Sequence, residues 1–166
     1  MIVFNSSTLI LLAKAGILDE FLVAVNQRVV IPREVERESC EEKDSMDSLM
    51  IRKAIQDRRI SVRSLKDKRV YTKIREDFLL GLGEAQGIAL ALSAKAKLFA
   101  TDDGRAIQTC KLLKIPFTTA IDILIQLYEE GIVSKDEAHL KLVALVRYGR
   151  YKRGIVEDAI SKLEVK

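Results

Sequence analysis

Three acidic residues within one short stretch of the chain have the types and spacing of a metal-binding site. The stretch covers residues 83 to 103 and reads GEAQGIALALSAKAKLFATDD. After Glu84 its apolar residues recur at helical spacing, and the run that ends at Thr101 is typical of a short buried strand. Asp102 and Asp103 follow directly. The stretch therefore predicts a helix with Glu84 in its first turn, followed by a strand that ends in two carboxylates.

This arrangement suggests chemistry with a divalent cation. Neighbouring carboxylates repel each other unless a cation or a proton lies between them. The carboxyl ends of parallel strands are where open α/β sheets hold their ligands, and oxygen atoms suit hard divalent ions. A second explanation stays open from these residues alone: Asp103 caps a helix that begins near Arg105, and Asp102 faces water.

Short apolar runs predict the sheet that must position these acids. They lie at about residues 2–5, 28–31, 60–62, 97–101 and 115–118, and helical segments separate them. This order predicts a parallel sheet with helices on both faces. Pro116 cannot donate to a strand ladder, so the last strand is predicted at an edge. In such a sheet Asn5, Glu84 and the two aspartates converge at one rim.

A glutamate-rich helix is predicted after the second strand. Pro32 suits the first position of a helix, because its missing N–H is not needed there. The glutamates that follow are Glu34, Glu36, Glu38, Glu41 and Glu42. The helix dipole favours glutamates near a helix start and accounts for most of them. Glu38 lies a turn further along, and we expect it to point toward the strand ends.

The composition is that of a soluble globular protein. The 166 residues are 48% hydrophobic and 31% charged, which predicts a single domain over residues 1–166, with residues 134–166 as a helical extension. No run approaches the roughly 20 apolar residues that span a bilayer, and no basic leader precedes the first strand. We expect a cytoplasmic protein without membrane contact. Cys40 and Cys110 are expected to be buried thiols rather than a disulfide.

Several classes of enzyme are disfavoured. With His139 as the one histidine and no G-x-S-x-G motif, serine or cysteine nucleophilic catalysis has little support, and we expect His139 at the surface. No G-x-G-x-x-G motif follows the first strand, which argues against a dinucleotide site. A small-molecule phosphatase or nucleotide-binding enzyme is a poorer interpretation, because the chain lacks a phosphate-cradling glycine loop.

Positive charge is concentrated in residues 52–75, the first basic segment. It holds ten basic residues against two acidic ones, in a chain with a formal charge of +4. A basic segment beside separate acidic clusters is typical of a protein that attracts a polyanion and holds cations at another site. A solvated helix and loop would have the same composition, and both explanations stay open.

Five segments together resemble the PIN domain family, and more closely its toxin-type nuclease subgroup of archaea and bacteria. In chain order they are MIVFNSSTLILLAKAGILD, VVIPREVERE, GLGEAQGIALAL, LFATDDGRA and KIPFTTAIDILIQLYEEG. The resemblance implies a three-layer α/β/α sandwich with a mostly parallel sheet, whose acids bind Mg²⁺ or Mn²⁺ and cleave single-stranded or structured RNA. It also implies two protein partners, a small antitoxin and a second copy in a homodimer.

By position, the acidic residues of the family fall on Asn5, Glu38, Glu84 and Asp103, with Asp102 beside the last. The resemblance implies that Glu38, Glu84, Asp102 and Asp103 are catalytic and that Asn5, Glu84, Asp102 and Asp103 are metal ligands. Asn5 departs from the usual aspartate. Its amide oxygen can still contact a hard cation, but the site has one negative charge less, which weakens divalent binding.

The leading interpretation is a metal-dependent endoribonuclease, the toxin component of a toxin–antitoxin pair. Phosphodiester cleavage needs an activated water, a stabilised phosphorane and a neutralised leaving group, and one or two Mg²⁺ ions among carboxylates supply all three. The alternative is a PIN-like module that has lost full metal affinity at Asn5 and binds RNA or a partner protein.

Two segments are interpreted as RNA contacts. In the first basic segment we expect Arg58, Arg59 and Arg63 to contact phosphates, which gives affinity without sequence choice. The second basic segment, residues 147–153, reads RYGRYKR and interleaves tyrosines with basic residues, a composition that can stack bases and hold phosphates. A helix–helix connection packed on the sheet or on a partner subunit is the alternative explanation for this segment.

Overall fold

Five short strands form the centre of the computed structural model, which describes residues 1–41 and 44–165. They are β1 (Ile2–Phe4), β2 (Val29–Pro32), β3 (Ile60–Arg63), β4 (Leu98–Ala100) and β5 (Phe117–Thr118). All pair in parallel, in the order β3-β2-β1-β4-β5. Glu42, for which a position in a helix is predicted, lies outside the described residues.

Ten α-helices surround this sheet within the described residues. They are α1 (Ser6–Lys14), α2 (Leu18–Ala24), α3 (Arg33–Glu36), α4 (Met46–Gln56), α5 (Lys68–Phe78), α6 (Leu82–Ser93), α7 (Gly104–Leu113), α8 (Ala120–Glu129), α9 (Lys135–Tyr148) and α10 (Arg153–Glu164). A π-helical turn, Arg37–Glu41, continues α3. Among these described helices, none has the length and apolar character that crossing a membrane requires.

The two faces of the sheet carry separate hydrophobic cores, because successive side chains of a strand point to opposite faces. In β1, Ile2 and Phe4 belong to the core formed with α1, α2, α4, α8, α9 and α10, whereas Val3 belongs to the core formed with α5, α6 and α7. The residues of β2 divide in the same way. The result is a three-layer sandwich with an all-parallel sheet and additional C-terminal helices, which confirms the predicted fold class.

Most local predictions agree with the structure, and two that involve prolines do not. The last strand, β5, lies at an edge of the sheet, as predicted, but it begins at Phe117, so Pro116 precedes the strand instead of lying within it. Cys40 and Cys110 are free and buried, and burial raises the pKa of Cys110 to about 11. The prediction that Pro32 is the first helical residue is wrong. Pro32 pairs with Arg63 in the sheet, so it is the last residue of β2 and the N-cap of α3.

The strand order places the ends of β1 and β4 side by side. From β1 the chain moves to β2 and β3 on one side and later to β4 and β5 on the other. In open parallel sheets, ligands bind in the crevice beyond the carboxyl ends of strands where the order reverses in this way. Asn5 follows β1 at this edge, and residues 101–103 follow β4. We call this edge the carboxyl rim and the opposite edge, where the strands begin, the amino rim.

Candidate active site at the carboxyl rim

Glu84 lies in the first turn of α6, and its carboxylate folds back toward the helix start. The N-cap residue Gly81 leaves room for it, since a Cβ built on Gly81 would lie 2.2 Å from Glu84 Oε2. Burial raises the pKa of Glu84, and the carboxylates of Asp103 and Glu38 raise it further, while the Asn5 side chain acts in the opposite direction. The carboxylates of Asp103 and Glu38 therefore lie close to that of Glu84.

Glu38 reaches this group from the π-helical turn after α3. Such turns are rare and occur often at functional sites, because the wider turn changes where its side chains point. Ser6 Oγ donates a hydrogen bond of 2.7 Å to Glu38 Oε2. The same carboxylate lies over Gly83, where a Cβ would be only 2.5 Å from Oε2. The structure thus brings Glu38 to the end of β1 and to the start of α6.

Asp103 is the N-cap residue of α7. Its Oδ1 accepts a hydrogen bond of 2.8 Å from the backbone N–H of Ala106, and its own N–H donates to Thr101 Oγ1 at 3.2 Å. The capping explanation therefore holds for this residue. Capping uses one carboxylate oxygen, and Asp103 also lines an open pocket together with Glu84. The two roles of Asp103, as a cap and as an oxygen donor at the site, are compatible.

The Asp102 carboxylate is only partly exposed and accepts hydrogen bonds from three parts of the chain, so the explanation that it simply faces water is wrong. Its Oδ2 accepts hydrogen bonds from Thr8 Oγ1 at 2.6 Å and from the backbone N–H of Ala120 at 3.0 Å. Its Oδ1 accepts a hydrogen bond of 2.8 Å from the Tyr151 hydroxyl. Burial raises the pKa of Asp102, and these hydrogen bonds lower it. Asp102 thereby joins α1, α8 and the second basic segment, and its role as a ligand stays a prediction.

Asn5 is fully buried between the ends of β1 and β4. Its Oδ1 accepts a hydrogen bond of 2.8 Å from the backbone N–H of Ser6. Its Nδ2 donates to Thr101 Oγ1 at 3.2 Å and to Ser7 Oγ at 3.3 Å. Ser7 Oγ also accepts a hydrogen bond from the backbone N–H of Asp102, and Thr101 Oγ1 accepts one from that of Asp103. The amide is therefore a fixed part of the site.

The acids of the carboxyl rim have no cationic partner among the described ion pairs, none of which involves Glu38, Glu84, Asp102 or Asp103. Nowhere in residues 1–41 and 44–165 are three or more His, Cys, Asp or Glu side chains already gathered as a metal cluster. The donor set nonetheless fits a hard cation, because Glu84 and Asp103 offer oxygen atoms on one pocket wall and Glu38 lies nearby.

The arginines predicted to contact RNA lie at two different ends of β3. Arg58 and Arg59 precede the strand, at the amino rim, where Arg59 Nη1 forms an ion pair of 2.9 Å with Asp19 Oδ1. Arg63 is the last residue of β3 and lies on the carboxyl side. Of the three, the structure brings Arg63 alone to the side of the sheet that holds the acids. Contact of any of them with RNA stays a prediction.

Sequence reasoning missed several residues that shape the site. The hydroxyls of Thr8 and Thr101 and the phenol of Tyr151 hold the two aspartates. Tyr151 lies in the second basic segment, but its contact with Asp102 was not predicted. Gly81 and Gly83 make room for two carboxylates. The sequence could have indicated these two glycines, because a G-x-G immediately before an acidic residue at a helix start is typical of a place where other groups approach the backbone closely.

A comparison with known families fits this geometry. The profile described as a PIN domain matches residues 1–164, so the chain belongs to the PIN domain family. PIN domains are generally nucleases, and they typically use divalent metal ions. No curated protein and no solved structure matched the chain. The family thus indicates a nuclease-type module.

Proposed function

We propose that this PIN domain is a metal-dependent endoribonuclease and the toxin component of a toxin–antitoxin pair. The observation that carries the proposal is the group formed by Glu38, Glu84 and Asp103 at the carboxyl rim, where burial and then the charges of Asp103 and Glu38 raise the pKa of Glu84. A group of like charges without cationic partners favours a bound cation. The proposed partners are RNA, a small antitoxin protein and a second copy of the chain.

In this proposal, each of the four acidic residues at the carboxyl rim has a separate role. Mg²⁺ or Mn²⁺, when bound, supplies the Lewis-acid chemistry of phosphodiester hydrolysis. Glu84 and Asp103 offer the oxygen atoms that hold the ion, because both line the same pocket. Glu38, held by Ser6 Oγ, orients the attacking water. Asp102 fixes the chain around Asp103 through its hydrogen bonds to α1 and α8.

A second function is favoured by one observation at Asn5. An amide stands where the family has an aspartate, and its contacts with Ser6, Ser7 and Thr101 already use both ends of the side chain. A site with one charge less binds divalent ions more weakly. The alternative is therefore a module that binds RNA or a partner protein without cleaving RNA.

Incubation of the full chain with an end-labelled single-stranded RNA tests the proposal. We expect internal cleavage in Mn²⁺ or Mg²⁺ and none in a chelator. RNA binding without cleavage at saturating Mn²⁺ would support the alternative. The absence of both binding and cleavage would contradict the nuclease and leave a module that binds a partner protein. For the toxin role, induced expression in bacteria should arrest growth, and Glu84→Gln should relieve the arrest. Growth that continues with the active chain removes the toxin part of the proposal.

A further inference from the structure

The second basic segment lies next to the acids of the carboxyl rim. It connects α9 to α10, and the Tyr151 hydroxyl within it donates a hydrogen bond of 2.8 Å to Asp102 Oδ1. Asp102 is the chain neighbour of Asp103, which lines the pocket with Glu84. The contact spans 49 residues of sequence and fixes the segment beside the candidate active site.

The backbone of this segment is built to bring Tyr151 inward. A Cβ on Gly149 would lie 2.5 Å from Tyr151 Cε2 and 2.9 Å from the carbonyl oxygen of Leu145. A larger residue at position 149 would therefore displace either the ring or the end of α9. Arg150 and Lys152, the neighbours of Tyr151, are exposed. The segment thus turns its half-buried phenol inward and directs its charges to solvent.

The exposed charge of the segment is entirely positive. Its basic residues are Arg147, Arg150, Lys152 and Arg153, and it contains no acidic residue. A further cation lies close to the segment: Lys14 of α1, whose Nζ is 5.5 Å from the centroid of the Tyr148 ring. Of the four basic residues, Arg153 is the one with a described ion pair, an exposed contact of 2.7 Å with Glu157 that is weak in water.

We infer that the second basic segment binds the phosphate backbone of the single-stranded RNA whose phosphodiester lies at the carboxyl rim. The inference rests on the proposed function and names its binding surface. Exposed cations on a segment anchored to Asp102, next to the acidic Asp103, can hold the phosphates that flank the one to be cleaved, whereas the acids alone would repel them. Tyr151 is a positioning residue, because it anchors the segment through Asp102.

The test measures binding of a fluorescein-labelled single-stranded oligoribonucleotide to the full chain in a chelator, over a series of KCl concentrations. In the loop variant, Arg150, Lys152 and Arg153 become Gln. We expect at least about tenfold weaker binding near 0.1 M salt and a salt slope shallower by about 2, since each phosphate contact contributes about 0.7. The matched control changes Lys95, Lys111 and Lys114, three exposed lysines toward the amino rim, to Gln and should leave the slope unchanged.

Two outcomes of this comparison overturn the inference. If the loop variant and the control lose RNA affinity equally, the loss is explained by the lower net charge of the protein and not by a particular binding surface. An unchanged affinity in the loop variant would assign the segment to an acidic protein partner instead.

Tyr151→Phe tests the positioning part separately. It keeps every charge and removes the hydroxyl that contacts Asp102, so we expect affinity to fall about threefold with an unchanged salt slope. A lower melting temperature with unchanged RNA affinity would contradict a positioning role.

The inference and the proposed function can fail independently. A chain that binds RNA through the second basic segment but never cleaves it in Mn²⁺ contradicts the nuclease alone. A chain that cleaves RNA, and whose loop variant binds and cleaves like the wild type, contradicts the inference alone.

Discussion

The two rims of the sheet arrange their charges in opposite ways. At the carboxyl rim, the acids Glu38 and Glu84 lie close together without an ion pair among the described residues. At the amino rim, two acids are paired: Arg59 pairs with Asp19 at 2.9 Å, and Lys141 pairs with Glu20 at 3.1 Å. Pairs of this kind contribute little to stability, but a paired carboxylate attracts a cation less than an unpaired one. The difference favours the carboxyl rim for the proposed metal site.

Enclosure alone would have indicated the other rim, because the more enclosed of the two pockets lies there. A cleft of about 200 Å³ at the amino rim is lined by Ile2, Val25, Gln27, Lys97 and Leu98, among others. Its walls mix apolar and polar groups and hold no cluster of like charges. The pocket at the carboxyl rim is more open, yet it contains Glu84 and Asp103. Perturbed titratable groups are the better guide to a catalytic site.

The largest expected effect comes from comparing two variants, one that removes a carboxylate charge at the carboxyl rim and one that removes a carboxylate charge at the amino rim. Glu84→Gln should lower the rate of RNA cleavage in Mn²⁺ by at least about 100-fold, because the proposed metal site loses a negatively charged oxygen ligand. Asp19→Asn, which removes a carboxylate at the amino rim, should leave the rate unchanged. Cleavage rates measured side by side make the comparison, and similar losses in both variants would erase the distinction between the rims.

Asn5→Asp should have the next largest effect, in the opposite direction. The hydroxyls of Ser7 and Thr101 can donate to the new carboxylate as readily as they accept from the amide, so the pocket tolerates it. Divalent affinity should rise about 5- to 30-fold, which corresponds to one or two kcal/mol. Asn26→Asp, at the amino rim, is the control. Calorimetry that shows equal affinity for both variants would place Asn5 away from the metal.

Gly83→Ala tests whether the absence of a side chain at position 83 leaves the space that the Glu38 carboxylate occupies. The added methyl would lie 2.5 Å from Glu38 Oε2 and must move that carboxylate away from Ser6. Mn²⁺ affinity should fall about tenfold, the scale at which residues that support metal ligands act. Gly104→Ala is matched, because a Cβ there meets nothing within 4 Å. An equal fall in Mn²⁺ affinity in both variants would indicate that alanine acts by changing the helix itself rather than by displacing Glu38.

The smallest effect is a pH dependence of stability without metal. The folded state raises the pKa of Glu84 above its ordinary value of 4.5. Its contribution to stability is therefore present below pH 4.5 and is lost as pH rises through the raised pKa. Glu84→Gln should be more stable than the wild type near neutral pH, and this advantage should vanish on acidification. Thermal melts across pH measure it, and a variant less stable at neutral pH would make Glu84 a structural residue.

The fold was predictable because its signals are local. Short apolar runs marked all five strands to within a few residues, and Pro116 marked the edge. Helix caps are equally local, so Asp103 was recognisable as one. The π-helical turn that carries Glu38 was not predicted, because the helical stretch from Arg33 to Glu41 is too short for a shift in hydrophobic periodicity to show.

The site was only partly predictable, because its contacts join distant parts of the chain. Asp102 meets Thr8 across 94 residues and Tyr151 across 49, and no pattern in the sequence links these positions. Composition also cannot tell the two rims apart. Arg58 and Arg59 share a basic segment with Arg63, yet β3 separates them from it along the sheet.

Calorimetric titration with Mn²⁺ tests most directly whether a divalent ion binds at the carboxyl rim. The wild type should bind Mn²⁺ with a saturable heat. The double variant Glu84→Gln, Asp103→Asn should lose at least about tenfold in affinity, while Asp19→Asn, Glu20→Gln at the amino rim should bind like the wild type. Equal affinities in all three proteins, or no saturable heat in any of them, would contradict a metal site among these acids.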